Sequence, residues 1–369
     1  MKAKPIMSKL KPYQPGRTME QVKQKYGLEK VVKLASNENP FGCSPQVKNS
    51  LVREYDNLTL YPDGYATELR NKVASHLGVA PEMLIFGNGS DEIVQILSRA
   101  ILEKGTNTVM ASPTFSQYKH NALIEGAEIK EVPAIDGSHD LEGMLHAIND
   151  QTRIVWLCSP NNPTGKYIAK NQMEDFLMRC PKNVIVVVDE AYYEYVTAND
   201  YPELVPELSK HPNLVLLRTF SKAYGLASLR VGYGIASQEI IQLIEPAREP
   251  FNTSRFAQQA ATAAMDDQEF IKKTVIKNKE GRSKLIQFCE ELNLSYYPSE
   301  ANFLTIHLPC SGDEMFEYLM KNGYIVRSGE ALGVPNSIRV TIGTEEDLDS
   351  ISKLIEKKVN EIRKMEKNS

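Results

Sequence analysis

Residues 183–188 read NVIVVV, a run of branched apolar side chains with no polar residue between them. A strand with one wet face alternates polar and apolar residues. This one does not, so both of its faces must be covered. MLIF (83–86), NTVMA (107–111), RIVWLC (153–158), NLVLL (213–217) and LRVGYGIA (229–236) repeat the pattern, with helical stretches between them. Strands buried on both faces belong to a mainly parallel sheet enclosed by helices, so the expected class is α/β. The helical stretches support this. DEIVQILSRAIL (91–102) has amphipathic spacing, with Ser90 expected as its N-cap and Asp91 and Glu92 in its first turn.

The pattern changes toward the C-terminus. NLSYYPSEANFLTIHL (293–308), GYIVRSG (323–329) and SIRVTIGT (337–344) look like alternating strands, and EEDLDSISKLIEKKVNEIRKMEK like a surface helix. We therefore expect a large domain over 41–265 and a smaller α+β domain over 266–369. Residues 1–40, rich in proline and polar side chains, would form an arm and part of the smaller domain. A helix from Gln258 to about Asn278 would join the two.

Composition excludes several classes. A net charge of -4 leaves no basic footprint for nucleic acid and no polybasic patch for a membrane. No apolar run nears the roughly 20 residues that cross a bilayer, and MKAKPIMSKLKPYQPG has no apolar core of a signal peptide. The five cysteines (43, 158, 180, 289, 310) are scattered and unpaired in spacing, as in reduced cytoplasmic proteins, and the six histidines form no metal motif. A cytoplasmic protein without a metal is expected.

In open α/β sheets, ligands lie beyond the carboxyl ends of the strands. GNGS (87–90) follows the first strand and opens a helix. Asn161 and Asn162 follow RIVWLC, Asp189 and Tyr192 follow NVIVVV, and Thr219, Ser221 and Lys222 follow NLVLL, with Arg230 beyond. Each has a plain structural use: a tight loop, a turn, a helix cap, packing, an ion pair. The glycine turn is not a dinucleotide fingerprint, because Glu92 stands where its third glycine would be, and no G-K-[ST] follows to make a P-loop. Together these residues offer one crevice an anion-binding turn, an amide, a carboxylate, a phenol, an amine and a guanidinium. A lysine buried beside another cation loses basicity and becomes nucleophilic. An aldehyde carrying a phosphate, a ring nitrogen and a phenolic oxygen meets all these groups, and pyridoxal phosphate is such a compound.

SPNNPTG (159–165), DEAY (189–192) and SKAYGLASLRVG (221–232), in that order, resemble the fold-type I aminotransferases of class I and II. KPYQPG, KLASNENPFG, YPDG, FGNGSDE, SPTFSQY, YIVRSG and SIRVTIGT extend the resemblance over nearly the whole chain, to the histidinol-phosphate aminotransferase family. That resemblance implies a seven-stranded, mainly parallel sheet and a pyridoxal phosphate cofactor. It makes Lys222 the lysine that bonds the cofactor aldehyde and shuttles the proton. Asp189 is implied at the ring nitrogen, Tyr192 and Asn162 at the phenolic oxygen, and Phe115 against the ring. Gly89, Ser90, Asp91, Thr219, Ser221 and Arg230 are implied around the phosphate, with Tyr61 reaching the phosphate of a neighbouring subunit in a homodimer. Tyr13, Asn37, Arg327 and Arg339 are implied at the substrate. The implied reaction exchanges an amino group between glutamate and imidazole-acetol phosphate, giving 2-oxoglutarate and histidinol phosphate, in histidine biosynthesis. Other readings are an aromatic (phenylalanine or tyrosine) aminotransferase, a threonine-phosphate decarboxylase, a non-catalytic regulator of this fold, and a nicotinamide dehydrogenase, which the interrupted glycine turn and Lys222 disfavour.

Overall fold

The computed structural model describes residues 4–8, 10 and 17–368. It contains twelve strands: β1 (Val32–Lys33), β2 (Leu84–Gly87), β3 (Asn107–Ser112), β4 (Glu128–Pro133), β5 (Thr152–Cys158), β6 (Ile185–Asp189), β7 (Leu214–Thr219), β8 (Gly232–Ala236), β9 (Phe303–His307), β10 (Tyr324–Ile325), β11 (Arg327–Ser328) and β12 (Ser337–Thr341). Seven of them form the main sheet, in the order β2-β8-β7-β6-β5-β3-β4. All neighbours are parallel except β8, which runs against both β2 and β7.

The doubly buried strands are where the apolar runs place them. Every residue of β2, β7 and β8 is buried, and so are the last four of β6. Alternate side chains feed two cores on opposite faces: Val186, Val188, Leu214 and Leu216 on one, Val187, Val215 and Leu217 on the other. The seventh strand, β4, has no counterpart among the apolar runs. Its sequence, EIKEVP, is largely exposed, as suits an edge strand with charged residues that discourage further pairing.

A second assembly stands beside the sheet. β11, β12 and β9 form an antiparallel three-stranded sheet, and β1 pairs with β10 in parallel. A core of its own, from Leu34 through Leu285, Leu304 and Val340 to Val359, fills this part. The expected joining helix is two helices, Arg255–Met265 and Gln268–Glu291, separated at Asp266–Asp267. Asp267 caps the second by accepting the backbone N–H of Phe270, which starts a new helix where a continuous one was expected. The long helix then has Ile271 in the large core and Leu285 and Cys289 in the small one.

The odd strand of the main sheet has a positional consequence. Parallel strands end at one edge, and an antiparallel neighbour begins there. Gly87 at the end of β2, Gly232 at the start of β8 and Thr219 at the end of β7 are therefore in register. A side chain at Gly232 would put its Cβ 2.4 Å from the Ser90 nitrogen and 2.6 Å from the Gly89 carbonyl carbon. Gly232→Ala should cost about 3 kcal/mol of stability, measured by urea unfolding, because neither contact belongs to a movable side chain.

Candidate active site

The C-terminal edge of the sheet opens into a cavity of about 450 Å³ shared with the smaller assembly. Gly89, Ser90, Asp91, Phe115, Asn162, Asp189, Tyr192, Thr219, Ser221, Lys222 and Arg230 line it, together with Asn37, Arg327 and Arg339 from the other side. Two expected residues are not among them. Tyr61, expected at the site of a neighbouring subunit rather than its own, is exposed and stacks on Phe251, with centroids 4.7 Å apart, outside this cavity. Tyr13 lies outside the described residues.

One end of the cavity suits an anion. Gly89, not Ser90, is the N-cap of the Ser90–Ile101 helix, with φ 76°. This leaves the Ser90 hydroxyl off the cap, and the first N–H groups of the helix have no partner within it. Gly89 also makes room for a cation, since a Cβ there would stand 2.7 Å from Nη2 of Arg230. Arg230 itself has φ 52°, a conformation unusual for a residue with a side chain, held at the point where a short 3-10 turn (Ala227–Leu229) feeds β8. Its guanidinium donates to Ser221 Oγ at 3.2 Å and pairs with Asp91 at 3.3 Å.

The middle holds the groups that can act on a ring. Asp189 is buried, and Oδ2 accepts the Tyr118 hydroxyl at 2.6 Å while Oδ1 accepts the Ala191 N–H at 3.1 Å. Burial raises its pKa to about 6, against the lowering effect of the Tyr118 bond. Tyr118 stacks on Trp156 at 4.8 Å and 7°, and the indole N–H donates to Thr108 Oγ1 at 2.8 Å. No local sequence signal reveals this support for Asp189, because its partners come from separate elements. The Tyr192 hydroxyl accepts Nδ2 of Asn37 at 3.0 Å. Asn37 adopts φ 56°, is held by Thr341 and Asn302, and so is fixed toward Tyr192.

Lys222 stands half-buried between these groups, donating to the Ser36 carbonyl at 3.2 Å. Burial, then the cations Arg339 and Arg230, lower its pKa to about 8. Roughly a tenth of such amines are neutral at pH 7, against about one in three thousand for an ordinary lysine. This is the depressed basicity a nucleophilic lysine requires.

The far end gathers positive charge. Arg327 and Arg339 are directly opposed across β11 and β12, so their side chains leave the same face. Like charges in that relation repel unless an anion sits between them. Arg339 is buried and donates to the Ala35 carbonyl at 2.7 Å and to Oδ1 of Asn162 at 2.5 Å. The second bond turns the Asn162 NH₂ away from the arginine. Lys119 and Glu131, paired at 2.6 Å, also line the cavity, and no motif in the sequence marks them. Among the described residues no cluster of ligands suits a metal, and no helix is long and apolar enough to cross a membrane.

Comparison with known proteins agrees with this geometry. The family model for aminotransferase class I and II matches residues 29–355. A histidinol-phosphate aminotransferase of Geobacillus sp. (strain WCH70) is 60% identical over 351 residues, 95% of this chain and 96% of the relative. The chain belongs to the class I and II aminotransferases, and within them to the histidinol-phosphate aminotransferase family. The Bacillus subtilis (strain 168) member of this aminotransferase family is 58% identical, covering 95% of this chain and 98% of its own. A solved Sinorhizobium meliloti histidinol-phosphate aminotransferase, in complex with pyridoxal-5'-phosphate, superposes with a TM-score of 0.87 at 27% identity, over 98% of this chain and 97% of that one.

The aminotransferase family depends on pyridoxal phosphate, and the cavity fits that group on its own terms. It has an anion end built on a helix N-terminus and Arg230, a buried carboxylate bonded to no basic side chain among the described residues, and a lysine whose hydrogen bond is to a carbonyl. The carboxylate gives a test in the cofactor-free protein. A carboxyl group whose folded pKa exceeds its unfolded value loses stability as pH rises from the unfolded value through the folded one. The cost of Asp189 therefore develops between about pH 4 and 6 and amounts to about 3 kcal/mol above that. Cofactor-free Asp189→Asn should be more stable than the native protein at pH 8, with the difference shrinking toward pH 4, by urea unfolding at each pH.

Proposed function

We propose that the chain is a histidinol-phosphate aminotransferase of histidine biosynthesis, working with pyridoxal phosphate. It moves the amino group of glutamate to imidazole-acetol phosphate, in two half-reactions. The observation that carries the reading is the half-buried Lys222, made weakly basic, between a buried carboxylate and a pair of opposed arginines.

When bound, pyridoxal phosphate supplies a reactive aldehyde carbon and an electron-accepting ring. Lys222 would hold the group through its amine and, once free of it, would move the proton at the substrate's α-carbon. Asp189, kept from water and oriented by Tyr118, holds a proton on the ring nitrogen. Tyr192 and the Asn162 NH₂ hold the phenolic oxygen, and Phe115 covers the ring face. Gly89, Ser90, Asp91, Thr219, Ser221 and Arg230 hold the phosphate. Arg339 and Arg327 bind the carboxylate of glutamate and the phosphate of the other substrate in turn, with Asn37 beside them and Tyr13 added from the arm. Arginine suits both anions because its planar fork meets either with two hydrogen bonds.

We also propose a cytoplasmic homodimer. Val52, Tyr55, Leu58, Leu60, Tyr61 and Tyr65 are all exposed within one short stretch, more apolar surface than a free protein usually leaves together. The division into residues 41–265 and 266–369, with residues 1–40 as an arm and part of the smaller domain, belongs to the same reading; the separate small core and the pairing of β1 with β10 support it. Tyr61→Ala should loosen the dimer in sedimentation velocity and raise the dissociation constant for pyridoxal phosphate about tenfold.

The deciding experiment is a single-turnover half-reaction. Cofactor-loaded protein mixed with histidinol phosphate should lose its near-visible absorbance much faster than with phenylalanine, tyrosine or threonine phosphate. Comparable rates with the aromatic amino acids would replace the proposal with a broad aromatic aminotransferase, and carbon dioxide from threonine phosphate with a decarboxylase. Lys222→Ala should abolish turnover. The rate at which the cofactor-free protein bonds pyridoxal phosphate should rise from pH 7 and level off above about 8, as Lys222 loses its proton.

A further inference from the structure

Glu92 interrupts the glycine pattern of the phosphate turn, and neither the cavity nor the reaction uses it. It is nonetheless among the most heavily engaged side chains nearby. Its Oε2 accepts the backbone N–H of Asn88 at 2.5 Å, Nδ2 of Asn252 at 2.8 Å and Nδ2 of Asn88 at 3.3 Å. Room for it is made by Gly87, where a Cβ would stand 3.2 Å from that oxygen and 3.1 Å from the Glu92 Cβ.

These bonds fix the two peptides on either side of one residue. The Asn88 N–H is held by Glu92, and the Asn88 carbonyl accepts Nη2 of Arg230 at 3.4 Å. The residue that follows is Gly89, whose φ of 76° makes it the N-cap of the helix whose first residues, Ser90 and Asp91, line the cavity with it. The far side is anchored too. Nδ2 of Asn88 donates to the Asn252 carbonyl at 2.6 Å, and Asn252 also donates to the Phe86 carbonyl at 3.0 Å. Oδ1 of Asn252 accepts Arg248, which donates in turn to the Gly64 carbonyl at 2.9 Å. A carboxylate in the first turn of a helix that binds an anion opposes that anion by charge. Its presence calls for a geometric gain, and three donors on one oxygen supply it.

We infer that Glu92 is a positioning residue for the cofactor phosphate: it locks the Asn88–Gly89 turn in its anion-binding conformation and ties that turn to residues 248–252. The inference rests on the reading of the Gly89–Arg230 end as the phosphate site.

The test compares two ligands on the cofactor-free protein: pyridoxal phosphate, and pyridoxal, which lacks the phosphate. Glu92→Ala should raise the dissociation constant for pyridoxal phosphate about tenfold and leave that for pyridoxal within about twofold. Glu92→Gln, which keeps an acceptor oxygen, should stay within about threefold of the native protein for both. No change in Glu92→Ala, or an equal loss for both ligands, overturns the inference, the latter because it marks a general structural role. If Glu92→Ala does not fold, Asn252→Ala carries the same expectation of a loss selective for the phosphorylated ligand. A native protein that binds pyridoxal phosphate no more tightly than pyridoxal would overturn the underlying site reading itself, and is recognised before any variant is made.

Discussion

The site depends first on the register of the main sheet. β5, β6 and β7 run parallel, with Cys158 opposite Asp189 and Asp189 opposite Leu217. Their ends therefore lie along one edge, and the residues that follow each strand are delivered to one place, whatever their separation in sequence. β8 extends this rule by reversing direction. An antiparallel strand starts where its neighbours stop, so Arg230, just before β8, arrives beside Gly89, just after β2. Had β8 been parallel, this arginine would have entered at the opposite ends of the strands, a strand's length from the helix it serves.

Exclusion of water then gives these groups their chemistry. In water Lys222 would be protonated almost completely and Asp189 ionised. Inside, burial shifts both toward neutrality, and Arg339 on β12 and Arg230 just before β8 add to the effect on the lysine. Arg339 and Arg327, opposed across β12 and β11, crowd positive charge at the far end of the cavity, the end proposed for two substrates of unlike shape that each bring an anion. A site that must accept both in alternation gains from charge that is general and from backbone anchors that are fixed, such as the Ala35 carbonyl on Arg339.

Much of this was legible in the sequence, for a physical reason. Continuous apolar runs signal strands covered on both faces, and the polar residues just past them are few enough to stand out. What escaped had no such contrast. β4 is an exposed edge whose charged residues look like a loop. The break at Asp266–Asp267 needs only a local cap inside an otherwise helical pattern. Ser90 resembles an N-cap by type, but the chain assigns that place to Gly89 because the turn needs a positive φ. Tyr118 looks like one more aromatic on a helix, and only the fold brings its hydroxyl to Asp189, 71 residues away. Tyr61, expected at the phosphate of a neighbouring subunit, lies exposed on a surface turn of its own chain, outside this cavity.

The stack beneath Asp189 has an optical consequence. Trp156 is the only tryptophan in the chain, it is fully buried, and its ring lies face to face with the tyrosine that bonds Asp189. Its emission therefore comes from a single, fixed position one side chain removed from the carboxylate. A chromophore that absorbs in the near-ultraviolet and settles against Asp189 would drain that emission by energy transfer at short range. The protein thus carries its own fluorescent gauge of site occupancy, with no label to attach and no second indole to confuse the signal.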